Sequence, residues 1–456
     1  MAQWQQGQTL QLDITDLSSE GDGIGRWDNR VVFVPNTVPG DRIKTRLVFT
    51  KSAYGRGQLI EVLAASSDRV RPQCIVADKC GGCQWQAVAY GAQLMAKQQQ
   101  VRGALERIGH FADVPMSPIL AADNPLSYRN KVTYPLGMSA RGQVKAGYFR
   151  RGSHQIVNLN QCPVQDDRLD PLLAEIKRDI QARGWSIYDE KQRTGALRHL
   201  ALRVGRRTGQ LLLTLVSTTW NLPGLEEQSA NWQARFPDLA GICINLNPKP
   251  SNAIWGKETR LVVGEPYLEE RFADLTFHIY PTTFFQVYTE QAERLLQVIL
   301  DELQLQGTEI VVDAYCGIGT LTLPMAQRSQ FCLGIEVQAA AVEMATINAR
   351  LNNIQTVKFR AGQVDQLLPG VVSLLPRQKP DVVVLDPPRK GCSDRVLKAL
   401  IALHPERIAY MSCNPATLAR DLKQLCGEGG YRLQRVQPAD FFPQTAHVEC
   451  VAFLVA

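Results

Sequence analysis

Three short segments in the C-terminal third of the chain carry residues that could do chemistry. They read DAYCGIGT at 313–320, DPPRKG at 386–391 and YMSCNP at 410–415. Each follows an apolar run that is typical of a buried parallel strand. Because the carboxyl ends of parallel strands meet at one edge of a sheet, a glycine-rich loop, an acidic loop and a thiol would share one crevice. The spacing therefore predicts covalent chemistry beside a bound nucleoside cofactor.

Cys413 is the candidate nucleophile of this set. Most free cysteines are inert core residues, but Cys413 follows a strand and precedes a predicted helix over 415–426. Since a helix N-terminus lowers the pKa of a thiol, we expect Cys413 to favour the thiolate. The last strand offers two bases, Glu449 and His447. A carboxylate on an apolar strand is costly unless it is used or paired, so we favour Glu449 as the base and interpret His447 as structural.

The glycine-rich loop has the features of a nucleoside site. Gly317 and Gly319 allow a tight turn that faces the N-terminus of the next helix, although such turns also simply link a strand to a helix. Glu336 ends the following strand and can accept hydrogen bonds from both ribose hydroxyls. The loop lacks the third glycine of the dinucleotide fingerprint, which favours S-adenosylmethionine over NAD. Asp386, stiffened by the two prolines that follow it, can hold a polar group of substrate or cofactor.

Four further cysteines form a candidate metal site. Cys74, Cys80 and Cys83 follow a C-x5-C-x2-C pattern, and Cys162, which precedes Pro163, is a plausible fourth thiolate. Four thiolates can bind zinc or a [4Fe–4S] cluster, and the spacing leaves both open.

The elements that would position these residues fall into three regions, which together predict an α/β protein. Residues 1–66 contain short strands with glycine turns and predict an OB-like β-barrel, whose basic residues near Phe49 and Tyr54 suit RNA binding or a solvated face. Residues 67–92 and 125–283 are strand-rich and basic, and predict an antiparallel α+β domain. Residues 93–124 and 284–456 predict a Rossmann-like, doubly wound domain with an antiparallel edge strand.

Composition sets outer limits on these predictions. The chain has 456 residues, a net charge of +6 and a pI of about 8.7, which permits an anionic partner. It contains no apolar run of about 18 residues, so we expect no membrane span. The N-terminus lacks the pattern of a secretion signal. Eleven cysteines suit metal binding or catalysis in a reducing compartment, so we predict a cytoplasmic protein.

One reaction needs all of these parts. Carbon 5 of uracil is a weak nucleophile, and a thiolate that adds to carbon 6 creates an enolate that makes carbon 5 reactive. After methyl transfer, a base must remove the proton on carbon 5 so that the thiol can leave. A thiol, a base and a methyl donor are what the three segments and the last strand would supply.

Four segments resemble the successive motifs of the RNA uracil-5 methyltransferase family: DAYCGIGTLTLPMA, DPPRKGC, YMSCNPATLARD and FFPQTAHVEC. The resemblance implies Cys413 as nucleophile and Glu449 as general base. It further implies a set of residues around S-adenosylmethionine, namely Gln286 in FFQVYTEQAERL, Tyr315, Glu336 and Asp386. Residues 8–66 resemble the family's TRAM domain, an OB-like RNA-binding barrel.

The cysteine pattern resembles the ribosomal RNA branch of that family. This likeness implies a [4Fe–4S] cluster on Cys74, Cys80, Cys83 and Cys162, and it favours 23S rRNA as the partner of a monomeric enzyme. Transfer RNA is the alternative substrate. An RNA cytosine-5 methyltransferase is less favoured because DPPR carries no cysteine. A non-catalytic Fe–S protein that binds RNA or assists ribosome assembly is the alternative from another class.

Overall fold

The computed structural model describes residues 4–377 and 379–456. Its N-terminal region is a closed five-stranded barrel with strand order β1-β2-β3-β5-β4. Alternate residues of each strand point inward, so that Leu12, Val32, Val34, Ile43 and Leu47 form its core. The predicted barrel is confirmed, except that its first three residues lie outside the described ones. The strands are β1 (Thr9–Leu17), β2 (Gly23–Trp27), β3 (Arg30–Val34), β4 (Arg42–Thr50) and β5 (Tyr54–Ala64).

The central region is a six-stranded sheet with order β11-β10-β9-β8-β6-β7 and two helices on one face. Most pairs are antiparallel, as predicted, but β9 and β10 are parallel because α3 crosses between them. The strands are β6 (Lys131–Met138), β7 (Val144–Ala146), β8 (Leu197–Val204), β9 (Leu211–Ser217), β10 (Leu239–Leu246) and β11 (Glu258–Gly264). The helices are α2 (Leu169–Ala182) and α3 (Leu225–Arg235).

A hairpin of β12 (Leu268–Phe272) and β13 (Leu275–Ile279) joins the central region to the C-terminal one. Its apolar side chains share a core with the C-terminal helices. The backbone amides of Thr276 and His278 donate to the side-chain oxygens of Asn352 and Asn348. The domain boundary near residue 283 stays a prediction.

The C-terminal region is a seven-stranded sheet with order β16-β15-β14-β17-β18-β20-β19. Its strands are β14 (Ile310–Ala314), β15 (Phe331–Glu336), β16 (Val357–Ala361), β17 (Val382–Leu385), β18 (Arg407–Ser412), β19 (Arg432–Ala439) and β20 (Glu449–Val455). The antiparallel strand is β20, and it lies between β18 and β19 rather than at the edge that we expected. Two layers of apolar side chains cover the faces of this Rossmann-like sheet.

Helices supply those two layers. They are α1 (Tyr90–Arg107), α4 (Thr289–Leu303), α5 (Thr322–Ala326), α6 (Ala339–Leu351), α7 (Val364–Leu367), α8 (Asp394–Leu403) and α9 (Pro415–Gly427), with a 3-10 segment over Leu368–Leu374. The N-terminal helix α1 packs beside α9, far from it in sequence. Among the described residues, no helix has both the length and the apolar character that crossing a membrane requires.

Candidate active site

A cavity of about 1060 Å³ opens at the carboxyl ends of β14, β15, β17 and β18. This is the edge where a doubly wound sheet binds its ligands. All the residues predicted as site residues line this one cavity: Cys74, Cys80, Cys83, Cys162, Gln286, Tyr315, Glu336, Asp386, Cys413 and Glu449. Their roles stay predictions, but the sequence motifs do converge in space.

Cys413 and Glu449 face each other through the pairing of two strands. Ser412 of β18 pairs with Cys450 of β20 in an antiparallel ladder. This is the last pair of the ladder; Cys413 follows Ser412 and Glu449 precedes Cys450, so the two residues lie beside each other where the ladder ends, and the charge of Glu449 acts on the Cys413 thiol. Asn414 then caps α9, its side chain accepting a hydrogen bond of 3.1 Å from the amide of Ala416. The strand pairing therefore brings a thiol and a carboxyl group together at the cavity wall.

The thiol of Cys413 is not activated in the way that the sequence suggests. Burial, followed by the negative charges of Glu449 and Asp386, raises the pKa of Cys413 to about 11. The expectation that α9 lowers this pKa is wrong for the free protein, because desolvation and two nearby carboxylates outweigh the helix terminus. Cys413 is therefore a protonated thiol at rest.

Glu449 and Asp386 form a pair of buried acids beside this thiol. The Glu449 side chain is only 4% exposed, and its Oε1 atom has no hydrogen-bond partner among the described residues. Burial, with the charge of Asp386, raises the pKa of Glu449 well above its usual range. Burial also raises the pKa of Asp386 to about 7. At neutral pH this pair holds at least one proton. The Oε1 atom of Glu449, which has no partner among the described residues, can form a hydrogen bond with a ligand.

The loop after β14 builds a nucleoside-sized recess. The backbone of Tyr315 has φ +72°, and Gly319 has φ +93°, the left-handed region that glycine accepts without strain. The amide of Gly317 donates to Glu336 Oε2 over 3.2 Å, and the amide of Gln338 donates to Glu336 Oε1 over 2.8 Å. These bonds fix the Glu336 carboxylate at the cavity wall, where it can accept hydrogen bonds from a ribose.

Asp313, at the end of β14, is hydrogen-bonded to the helix that follows this loop. It is fully buried and accepts a hydrogen bond of 2.5 Å from the hydroxyl of Thr322 at the start of α5. Burial raises its pKa to about 7. The side chain therefore ties the end of β14 to the helix that follows the glycine loop.

Gln286 reaches the cavity from the segment that precedes α4. Its carbonyl oxygen accepts a hydrogen bond of 2.9 Å from the side chain of Asn130 in the central region, and the amide of Asn130 donates to Val287 over 2.9 Å. The central sheet therefore holds this segment in place, while the Gln286 side chain lines the cavity.

The four candidate metal ligands line the same cavity, on segments that lie outside the C-terminal sheet. Cys162 is buried, and Cys74, Cys80 and Cys83 are half-buried. The amide of Gly82 donates to the sulfur of Cys80 over 3.4 Å. Within the described chain, no group of three or more histidine, cysteine or acidic side chains has the arrangement of a metal site. The four thiols line one cavity, and a metal centre there stays a prediction.

Sequence reasoning missed Arg389 and its contact with His447, two side chains that line the cavity. Arg389 donates to His447 Nδ1 over 2.9 Å, and the side chain of Asn414 donates to the carbonyl of Arg389 over 3.1 Å. Burial, followed by the charge of Arg389, lowers the pKa of His447, so His447 accepts this bond as a neutral ring. Arg389 stands in the DPPRKG segment, which was the available signal, but its partner is distant in sequence.

Family comparisons agree with this geometry. The model described as tRNA (Uracil-5-)-methyltransferase matches residues 254–456. The TRAM domain model matches residues 3–60, the stretch that forms the barrel. The two matches cover the cavity's sheet and the barrel.

Relatives described as RNA methyltransferases match nearly the whole chain. An uncharacterized RNA methyltransferase of Nostoc sp. is 57% identical over 454 residues, which are 99% of this chain and 97% of the relative. A second, from Bacillus cereus, is 40% identical over 444 residues, covering 96% of this chain and 95% of the relative.

A solved structure shows the same architecture. The crystal structure of the Pyrococcus abyssi tRNA (uracil-54, C5)-methyltransferase in complex with S-adenosyl-L-homocysteine matches with a TM-score of 0.79 and 28% sequence identity. The match covers 98% of this chain and 100% of that chain. With the family models and the relatives, it gives one conclusion: the chain belongs to the uracil-5 family of RNA methyltransferases.

Proposed function

We propose that this protein transfers a methyl group from S-adenosylmethionine to carbon 5 of a uridine in RNA, with Cys413 as nucleophile and Glu449 as general base. The observation that carries the proposal is the opposition of Cys413 and Glu449 at the end of the β18–β20 ladder, inside the cavity that Glu336 and Asp386 also line. A thiol alone would be an ordinary core residue. A thiol facing a buried carboxyl group with an unpartnered oxygen has the parts of a nucleophile and a base.

The chain's own residues carry the covalent steps. The Cys413 thiol gives up its proton to solvent water, the sulfur bonds to carbon 6 of uracil, and the electron pair of the 5,6 double bond passes toward the O4 carbonyl as an enolate. Carbon 5 then gains the methyl group. Glu449 takes the remaining proton from carbon 5, the double bond re-forms, and the carbon–sulfur bond breaks to release the thiolate. The target base has to leave its stack to enter the cavity.

The methyl donor would occupy the glycine-loop side of the cavity. When bound, S-adenosylmethionine supplies an electrophilic methyl group on its sulfonium. Glu336 would accept hydrogen bonds from its ribose, Tyr315 would pack beside it, and Gln286 and Asp386 would contact its polar groups. The complex of the Pyrococcus abyssi relative with S-adenosyl-L-homocysteine supports this cofactor.

The cysteine set supports a [4Fe–4S] cluster on Cys74, Cys80, Cys83 and Cys162. Four thiols are the donors that such a cluster takes; the four line one cavity, and a backbone amide donates to one of the sulfurs. Methyl transfer needs no electron, so the cluster would hold the loops rather than react. The likeness of the cysteine pattern to that of the ribosomal RNA branch favours 23S rRNA over tRNA as the substrate. We also propose that the protein is a cytoplasmic monomer.

The test is a map of 5-methyluridine in total RNA from cells with and without the gene. We expect one or more sites in 23S rRNA to lose the modification, and the gene carrying Cys413→Ala to leave them unmethylated. Lost sites in tRNA instead would support the alternative substrate. If no site is lost and the purified protein binds no S-adenosylmethionine, the non-catalytic RNA-binding alternative replaces this proposal.

A further inference from the structure

We propose that Lys131 and Arg203 of the central sheet form a binding site for a phosphodiester group of the RNA strand that enters the cavity. This inference rests on the proposed function and names a contact that the family matches leave open. It is carried by two cations that face each other across neighbouring strands with no acid between them.

The pairing of β6 and β8 brings the two cations together. Lys131 and Arg203 are directly opposite in this antiparallel ladder. Their neighbours Val132, Leu202 and Val204 belong to the core beneath α2 and α3. Alternation along each strand therefore puts both cations on the opposite face of the sheet. Like charges in directly opposite positions destabilise a sheet, so this pair is retained against a cost.

Neither cation has a counter-charge in the described part of the chain. Arg203 is only 4% exposed, and it donates from Nη2 to the carbonyl oxygen of Thr283 over 2.8 Å. Its Nη1 atom is buried with no hydrogen-bond partner among the described residues. Neither Lys131 nor Arg203 takes part in any ion pair formed by those residues. A buried guanidinium with an unused donor is a costly arrangement that an anion would relieve.

The pKa values of Lys131 and Arg203 are both lowered, as expected for buried cations without a counter-charge. Burial, followed by the charges of Arg203 and Arg129, lowers the pKa of Lys131 to about 6. Burial lowers the pKa of Arg203 to about 9. A phosphate oxygen in contact with both groups would favour their charged forms. The indole of Trp255 lies 5.6 Å from Lys131 Nζ and shields one side of it.

The position of the pair indicates which anion it would receive. Arg203 is bonded to Thr283, and the neighbouring Asn130 is bonded to Gln286 and Val287. Residues 283–287 are therefore tied to the sheet at both ends. In the middle of this segment, Phe284, which is 60% exposed, and Gln286 line the cavity of Cys413. Lys131 and Arg203 do not line that cavity themselves, but Arg203 is bonded to the segment that does; the proposed site would hold the backbone of a strand whose base has turned into the cavity.

A phosphodiester fits this position better than the carboxylate of the methyl donor. The proposed cofactor recess is built from the loops after β14 and β15, which belong to the C-terminal sheet and not to the central one. Arginine and lysine are also the side chains that proteins use for RNA backbone contacts. The two anions give different results in a binding experiment.

The experiment measures the affinity of the full-length protein for a labelled single-stranded oligouridine at several salt concentrations, by fluorescence anisotropy. We expect Lys131→Gln and Arg203→Gln to weaken binding and to flatten the plot of log affinity against log salt. The slope should fall by about 0.7 for a lost phosphate contact on single-stranded nucleic acid. Arg203→Lys should keep most of the slope. Lys358→Gln, which removes an exposed cation on β16, should leave the slope unchanged.

Three outcomes overturn the inference or separate it from the proposed function. Wild-type slopes in both glutamine variants overturn it. A loss of S-adenosylmethionine affinity with unchanged oligouridine slopes overturns it in favour of the cofactor carboxylate. If Arg203→Gln does not fold, the half-buried Lys131→Gln decides alone. A wild-type protein that makes no 5-methyluridine would end the proposed function, while the salt slopes would still decide the phosphate site.

Discussion

The resting protonation of the active-site residues shapes what their variants should do. Glu449 lies beside Cys413 and has a raised pKa. The proposed reaction needs the ionised form of Glu449 only after the Cys413 thiol has added to the uracil ring. Glu449→Gln keeps the shape of the side chain but cannot take the proton from carbon 5. We expect this variant to methylate its RNA once and then remain bonded to it through Cys413. On a denaturing gel, this covalent adduct should appear as a labelled RNA band that migrates more slowly than free RNA.

The control for this adduct is the double variant Glu449→Gln/Cys413→Ala, which lacks the sulfur. It should give no slow band, although RNA binding in the native state should persist. An adduct that persists without Cys413, or normal turnover by Glu449→Gln, would contradict the assigned roles.

The same protonation states predict a pH dependence of 5-methyluridine formation. The carboxyl pair loses a proton as pH rises through about 7, the raised value of Asp386. The thiolate fraction of Cys413 grows tenfold per pH unit below its pKa of about 11. Ionisation of the thiol favours its addition to carbon 6, and ionisation of the carboxyl pair favours the later removal of the proton from carbon 5, so the single-turnover rate of 5-methyluridine formation should rise between pH 6 and pH 9. A rate that falls over this range would mean that the protonated forms react.

The residues of the site could be predicted from the sequence, but their charge states could not. Cys413, Glu336 and Asp386 follow strands, so the rule for parallel sheets was enough to bring them to one edge. The raised pKa of Cys413 depends on burial and on Glu449, which arrives on an antiparallel strand from the end of the chain. The packing that decides such burial is spread over distant segments, and no local pattern reports it.

At the level of elements, a buried ion pair connects α1 to the segment that leads to Glu449, the proposed general base. Lys97 of α1 and Asp440 are both fully buried, with Nζ 2.6 Å from Oδ1. Lys97 also donates to the carbonyl of Phe442 over 3.0 Å. The lysine thus anchors the turn between β19 and β20, and Glu449 begins the second of these strands.

Removing this lysine should destabilise the protein strongly. Lys97→Met leaves the carboxylate of Asp440 buried without a counter-charge, which typically costs about 3–5 kcal/mol of unfolding free energy. Adding Asp440→Asn removes that charge and should recover most of the loss. Urea denaturation measures both. Arg102→Gln, which breaks an exposed pair on the same helix, should stay within about 0.5 kcal/mol of wild type. Equal effects of Lys97→Met and Arg102→Gln would contradict the anchoring role.

The bounds of α9 were more predictable than the arrangement of the strands. The sequence predicts a helix over 415–426, and the structure has Pro415–Gly427. Apolar periodicity is a local signal that survives folding. The insertion of β20 between β18 and β19 is a matter of strand order, which periodicity does not carry. The parallel pairing of β9 with β10 was missed for the same reason.

At the level of the whole molecule, the segment that carries Cys74, Cys80 and Cys83 (the cysteine loop) is hydrogen-bonded to the segment that leads to Glu449. The amides of Gln84 and Trp85, which follow Cys83, both donate to the carbonyl of Gln444, over 3.1 and 3.0 Å. The side chain of Gln93 on α1 donates to the Gln444 side chain over 3.1 Å. Gln444 lies five positions before Glu449. A bound group that holds the cysteine loop in place would therefore also hold the segment that leads to Glu449.

This connection predicts that a metal centre bound by the four cysteines would stabilise the whole protein. Metal binding free energy adds to folding free energy when only the folded chain presents the ligands. Cys80→Ser should therefore lose the iron and sulfide of an anaerobic preparation and lower the melting temperature of the whole chain. Cys426→Ser changes a half-buried thiol on α9 outside the cavity, and it should retain both. Unchanged melting in Cys80→Ser would show that the thiols stabilise no shared structure. Stoichiometric zinc in the wild type would replace the cluster but leave the argument about the loop intact.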